Sequence, residues 1–215
     1  MSESDVIEFC TSPNNPTGEA RQPHYSSSPF VVYDHAYDWP SWTKNLSQHD
    51  NHSIMLFTLS KLSGHAGSRF GWAFVDDPEL ASLMTEYIYV AQIDLSVEVQ
   101  YRALLLLRNI VATKGAVFAY VAEKMNERWN KLEALFAKTS KFNIQSQHGY
   151  FYLWLQCTDT TTSCYQQLLQ YNIKGLDGST FGADSSYVRC ALAVRDSTFN
   201  IFLNKLEAIV FDSST

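Results

Sequence analysis

The chain has 215 residues, of which 46% are hydrophobic, 14% aromatic and 18% charged, a composition that can fill a core and excludes an intrinsically disordered chain. A net charge of −6 excludes a generally basic surface for nucleic acid or anionic lipid, while leaving room for a local basic pocket that takes an anion. The length allows one large domain or one and a half, and even the apolar run 103–111, broken by Arg108, falls short of a membrane span.

Residues 1–5 are polar and acidic, unlike a signal peptide, so the chain is expected in the cytoplasm. A first strand is predicted over 6–10. It stops at Ser-Pro-Asn-Asn-Pro-Thr-Gly, residues 12–18, a firm turn at a strand end, where α/β proteins place ligand-binding groups. A second strand, 29–33, runs into Asp34. A carboxylate directly after an apolar strand reads as a partly buried acid awaiting a cation. The polar run 48–52 with His49 and His52 reads as a solvated loop rather than a metal site. Asn45 and Asn51 each begin a glycosylation sequon.

A third strand, 54–59, leads into the stretch with the most chemistry: residues 57–72 read F-T-L-S-K-L-S-G-H-A-G-S-R-F-G-W. Gly64, Gly67 and Gly71 open backbone conformations closed to other residues. Arg69 offers a planar fork that matches phosphate oxygens two at a time, and Thr58 and Ser60 add hydroxyls. The stretch lacks G-x-x-x-x-G-K-[ST] and is no P-loop. Its lysine precedes the glycines, which leaves the Lys61 amine available for covalent chemistry. Two readings stand: an anion cradle centred on Lys61, or a strand that runs into an ordinary glycine-rich surface turn.

A fourth strand is predicted over 71–75, followed by a turn and a helix start at Pro78. Asn15, Asp34 and Lys61 thus each follow a strand, and if those strands are parallel neighbours all three face one crevice. Helices are predicted over 78–89, from a Ser96 cap to 112, and over 117–137. Lys114-Gly115 interrupts the pattern, which places a domain boundary near residue 115 and gives domains 1–115 and 116–215. The second holds strands at 142–144, 150–155 and 187–193 with helices at 161–170 and 197–211, a small α+β domain. Arg189 lies in an otherwise apolar strand and needs either a structural acid or a ligand's carboxylate. Cys10, Cys157, Cys164 and Cys190 form no C-x-x-C pair; they read as buried free thiols, with no disulfide framework and no zinc site.

S-P-N-N-P-T-G at 12–18, Y-D-x-x-Y at 33–37 and S-K-x-x-G-H-A-G-S-R-x-G-W at 60–72 together resemble the pyridoxal-phosphate aminotransferases of fold type I. More narrowly the chain is similar to the plant group that joins alliinase, a carbon–sulfur lyase, with the tryptophan aminotransferase-related proteins. The resemblance implies an α/β fold: a partial large domain with a mostly parallel sheet and helices, plus a small C-terminal α+β domain. It implies that Lys61 carries pyridoxal 5′-phosphate covalently and moves the proton at the substrate's Cα. By the same resemblance Asp34 pairs with the pyridine nitrogen, Asn15 and Tyr37 bond the ring's phenolic oxygen, and Thr58, Ser60 and Arg69 hold the phosphate. Arg189 grips the substrate's α-carboxylate.

The implied activity is transamination of an aromatic amino acid, tryptophan foremost, with a 2-oxo acid as acceptor. The implied partners are amino acid and 2-oxo acid substrates, with no nucleic acid and no membrane, and a homodimer in the full-length form. Two alternatives stay open. One is an alliinase-like lyase acting on cysteine sulfoxides; the other is a truncated, inactive homologue, because the family's enzymes are far longer. The resemblance begins just before the 12–18 turn, so the first phosphate-binding loop, the ring-stacking aromatic and part of the sheet have no counterpart here. A strand edge and apolar faces are expected to be exposed. After Tyr37 the group tends to Tyr-Trp-Pro-His-Tyr, whereas this chain has Asp38-Trp39-Pro40-Ser41-Trp42, which leaves substrate choice open.

Overall fold

The computed structural model describes residues 6–25, 30–39, 53–61, 63–93 and 95–212. Pro40, Ser41, Trp42, both sequons and the run with His49 and His52 lie outside the described residues. The chain divides into two compact units, one of Met1–Asn14 with Ala20–Tyr120 and one of Asn15–Glu19 with Val121–Thr215.

The first unit is built on a four-stranded sheet in the order β1 (Ile7–Thr11), β2 (Phe30–Asp34), β3 (Ser53–Thr58), β4 (Gly71–Val75). The first three strands are parallel, and β4 returns antiparallel to β3. Phe-Val-Val-Tyr in β2 and Ile-Met-Leu-Phe in β3 are residues that suit a pleated, half-buried surface. The register sets Thr11 beside Asp34 and Asp34 beside Leu56, so β1 and β2 end level and β3 runs two residues further, to Thr58. Cys10, Tyr33 and Met55 form one buried cluster, and Trp39, Leu59 and Ala103 a second.

Two helices follow, α1 (Pro78–Gln92) and α2 (Val97–Ala112). Asp77 accepts from the Glu79 and Leu80 amides and Ser96 from the Val99 amide, which satisfies donors that a helix start otherwise leaves orphaned. Neither helix buries an apolar stripe: α1 has no buried residue and α2 only Ala103. Tyr87, Val90, Val97, Tyr101 and Val111 are all exposed. Among the described residues no single helix is long and apolar enough to cross a membrane; α2 and its successor α3 (Ala116–Phe136) meet that test only as a pair bent by 82°.

In the second unit a sheet runs in the order β5 (Phe142–Ile144), β6 (Tyr152–Cys157), β8 (Tyr187–Ala191), β7 (Leu176–Asp177), with every pair antiparallel. Helices α4 (Cys164–Gln170) and α5 (Asp196–Phe211) accompany it. Trp129, Leu132, Leu153, Leu155, Val188 and Leu206 are fully buried, and Trp129 Nε1 donates to the Tyr150 carbonyl at 2.7 Å. Gly18 lies against Tyr150 with φ +77°: a Cβ there would meet the ring at 2.5 Å, so the close approach requires glycine.

Three expectations change. Cys157 and Cys164 are not free thiols: they form a disulfide, with Cα atoms 5.4 Å apart. Strand β6 ends at the first and α4 begins at the second, so the loop between them folds back and brings the two together despite the absence of a C-x-x-C pair. Cys10 and Cys190 remain free and buried. Helix α4 starts at Cys164 rather than 161, because Ser163 caps it by accepting from the Gln166 amide at 3.2 Å. Finally β7, only two residues long, was too short to show a period.

Candidate active site

The first unit gathers Asp34, Tyr37, Thr58, Ser60, Lys61 and Arg69 around the carboxyl ends of β2 and β3. Asp34 closes β2, half-buried, and its Oδ1 accepts the Ala36 amide at 3.0 Å. Tyr37 is buried in the turn that follows. The exposed Lys61 extends from the end of β3 with Nζ 5.2 Å from the Tyr37 ring centroid. Thr58 Oγ1 lies 2.8 Å from Ser60 Oγ and 3.0 Å from the Phe70 carbonyl, so the two hydroxyls form a linked pair within one turn.

Arg69 is exposed and adopts φ 52°, with Nη1 donating to the Ala66 carbonyl at 3.1 Å. That left-handed conformation is uncommon for a residue other than glycine; it caps the short 3-10 turn Ala66–Ser68.

Two residues at this site form a buried pair that the sequence does not show. His35 is 2% exposed and Asp38 7% exposed. The His35 ring stacks on Tyr33 and Phe57, with centroids 5.8 and 5.2 Å away. Its Nδ1 lies 3.0 Å from the Ser12 carbonyl and 3.2 Å from Asp38 Oδ2. A carbonyl can only accept, so Nδ1 carries the proton. One ring thus ties the turn after β1 to the turn after β2. The available signal was position: a histidine directly after an apolar strand, three residues ahead of an acid.

In the second unit Arg189 stands on β8 opposite Trp154 of β6. Among the described residues no acid pairs with it. Nη1 donates to Asn15 Oδ1 at 2.7 Å, and the rings of Tyr152 and Phe181 lie 3.9 and 4.5 Å from Cζ. Arginine only donates, so the Asn15 carbonyl oxygen faces it and the Asn15 amide nitrogen keeps its donors for another acceptor.

A cavity of about 540 Å³ in the same unit, bordered by Lys141, Thr158, Leu168 and Tyr171, contains none of these residues. Two of its polar groups are committed inward: Lys141 Nζ donates to the Ile209 and Asp212 carbonyls, and the Tyr171 hydroxyl to Asp212. Among the described residues no cluster of histidine, cysteine and carboxylates could hold a metal.

The family described as Allinase matches residues 1–210. Among individual proteins, the chain is 36% identical over 224 residues to tryptophan aminotransferase-related protein 2 of Arabidopsis thaliana, covering 95% of this chain and 51% of that protein. It is 32% identical over 226 residues to an alliin lyase of Allium cepa var. aggregatum, covering 95% and 50%. The chain therefore spans about half the length of the curated relatives it matches. Among solved structures, an aspartate aminotransferase double mutant of Thermus thermophilus matches with TM-score 0.77 at 17% identity, over 97% of this chain and 58% of that one. A PLP-dependent aminotransferase of Streptococcus suis matches with TM-score 0.75 at 18% identity, over 98% and 59%. At such identities the likeness is one of fold, and the fold is that of the fold type I aminotransferases.

Proposed function

The chain belongs to the allinase family, and from that premise we propose that it is the catalytic part of a pyridoxal-phosphate-dependent aminotransferase. Its substrate is an aromatic amino acid, tryptophan foremost, and its acceptor a 2-oxo acid. Residues 1–115 are the C-terminal portion of a cofactor-binding large domain and 116–215 a small C-terminal domain. The observation that carries the reading is that Asp34 closes β2 and Lys61 lies just past the carboxyl end of the adjacent parallel strand β3, with two linked hydroxyls and an arginine in the Lys61 loop. Ligands of open α/β sheets bind at such strand ends.

The donor set fits pyridoxal 5′-phosphate: an exposed amine for its aldehyde, a carboxylate for its ring nitrogen, hydroxyls and a guanidinium for its phosphate. When bound, the cofactor supplies an electron sink that acidifies the amino acid's Cα–H. This chain's residues do the rest. The Asp34 carboxylate holds a proton on the ring nitrogen, because a nearby negative charge favours the cationic form. Thr58, Ser60 and Arg69 donate to the phosphate. The Lys61 amine takes the Cα proton and returns it, as a positioned base must. Tyr37 and the free amide donors of Asn15 serve the phenolic oxygen, and Arg189 takes the α-carboxylate in a fork.

The test is product analysis with the cofactor-loaded chain. Tryptophan with a 2-oxo acid should give indole-3-pyruvate in proportion to the acceptor consumed. Pyruvate and ammonia from a cysteine sulfoxide without acceptor would replace this reading by a lyase, as in the Allium relative. No turnover of either would replace it by an inactive homologue.

A further inference from the structure

The Arg189 guanidinium is held by more than its hydrogen bond. Strands β6 and β8 set Trp154 opposite Arg189 and Tyr152 opposite Ala191, so Tyr152 is the diagonal neighbour on the same face and within reach of a long side chain. Its ring centroid is 3.9 Å from Cζ. The second ring, Phe181 at 4.5 Å, comes from outside the strands. It ends the 3-10 turn Gly178–Phe181 that follows edge strand β7, whose Leu176 pairs with Arg189.

That turn is fixed at both ends. Asp177 Oδ1 accepts from the Ser179 amide at 2.9 Å and from its hydroxyl at 2.7 Å, and Gly182 closes the turn with φ +74°. A Cβ on Gly178 would run into the Asp184 carbonyl and Tyr187. Behind it, Phe181 meets Trp154 edge-on at 5.5 Å, and Trp154 stacks on Tyr187 at 5.1 Å.

All guanidinium N–H groups lie in its plane, so rings against its face hold it without using a donor. A structural acid would instead consume the fork that a carboxylate ligand needs. Arginine also carries much rotamer entropy, and a side chain fixed beforehand does not lose that freedom again when a ligand binds. We propose that Tyr152 and Phe181 are positioning residues that fix the plane of the Arg189 guanidinium, with Asn15 fixing its rotation, so that a planar carboxylate is met edge-on by two N–H groups. The inference rests on the reading of Arg189 as the α-carboxylate's partner.

The test uses the full chain and indole-3-propionate, an aromatic carboxylate without an amine, with binding followed by calorimetry and folding by thermal melts. Arg189→Lys is expected to abolish binding. Phe181→Leu and Tyr152→Leu are each expected to weaken it roughly tenfold, the size of one cation–π contact, at a melting temperature close to that of the unaltered chain. Phe181→Tyr, which keeps a ring, is expected to restore it. If the unaltered chain does not bind at millimolar concentration, or if Arg189→Lys binds as well as it does, the reading of Arg189 is overturned and this inference with it. If Arg189→Lys loses binding while Phe181→Leu and Tyr152→Leu keep it, the inference alone is overturned. A Phe181→Leu chain that melts early leaves Tyr152→Leu to decide.

Discussion

His35 shows how a single residue holds two turns. Its Nδ1 proton faces the Ser12 carbonyl and the Asp38 carboxylate, and its ring lies between Tyr33 and Phe57. Among the described residues Asp38 Oδ1 has no hydrogen-bond partner, so the buried carboxylate depends heavily on His35. Replacing His35 by Phe keeps the stack and removes the donor, which leaves buried acceptors unmet at about 1–3 kcal/mol. We predict that His35→Phe lowers the urea-unfolding free energy by about that much with an unchanged m-value; equal stability would show the contact to be idle. Lys61, Asp34 and Arg69 stand out in the sequence because each sits in a contiguous motif with its neighbours. The rings around Arg189 were not, because Phe181 reaches it from a turn and Tyr152 from another strand, and neither distance is encoded in local spacing.

Among the elements, α3 and α5 illustrate what periodicity conveys and what it omits. The period predicts both helices within a residue or two of Ala116–Phe136 and Asp196–Phe211, since a stripe of Trp129, Leu132 and Phe136 on one and Phe199, Leu206 and Val210 on the other is buried. It does not reveal the tie between them. Arg128, nearly buried on α3, donates to the Leu192 carbonyl and, at 2.7 Å, to Asp196 at the start of α5, with Lys124 3.4 Å from the same carboxylate. The hydrogen bond from Arg128, then that from Lys124, holds the Asp196 carboxyl below its ordinary range. A group whose folded pKa is depressed contributes stability above its unfolded pKa, about 3.9, and loses it as pH falls through the folded value. Asp196→Asn should therefore melt below the unaltered chain at neutral pH, and the two should converge as pH drops under about 4. A difference that stays constant with pH would contradict this. Strand β7 and the late start of α4 were missed for the opposite reason: two residues show no period, and a serine cap overrides a run of polar residues.

At the scale of the whole molecule the two units differ in how they are filled. The second closes a core around Trp129 and Leu153, while the first leaves Tyr87, Val90, Val97, Tyr101 and Val111 exposed on α1 and α2. The fold class was legible from strand and helix order together with the motifs. The Cys157–Cys164 disulfide was not, because pairing follows the return of a loop. Burial pushes the Cys190 thiol up to about 12 and raises that of Cys10, and a thiol, unlike a thiolate, reacts poorly. The folded, unreduced chain should thus show almost no reactive thiol, and unfolding without reductant should release two, Cys10 and Cys190. A cytoplasmic setting keeps thiols reduced, so four thiols on unfolding of protein taken directly from cells would contradict the disulfide there.

The proposed function stands or falls on Lys61 as the amine that carries the cofactor. The direct measurement is the visible absorption of the 215-residue chain mixed with pyridoxal phosphate, followed by borohydride reduction and mass-spectrometric location of the adduct. A band lost on reduction and a single adduct on Lys61 are expected, with neither in Lys61→Ala. An adduct on another lysine, or an unchanged band in Lys61→Ala, would contradict it.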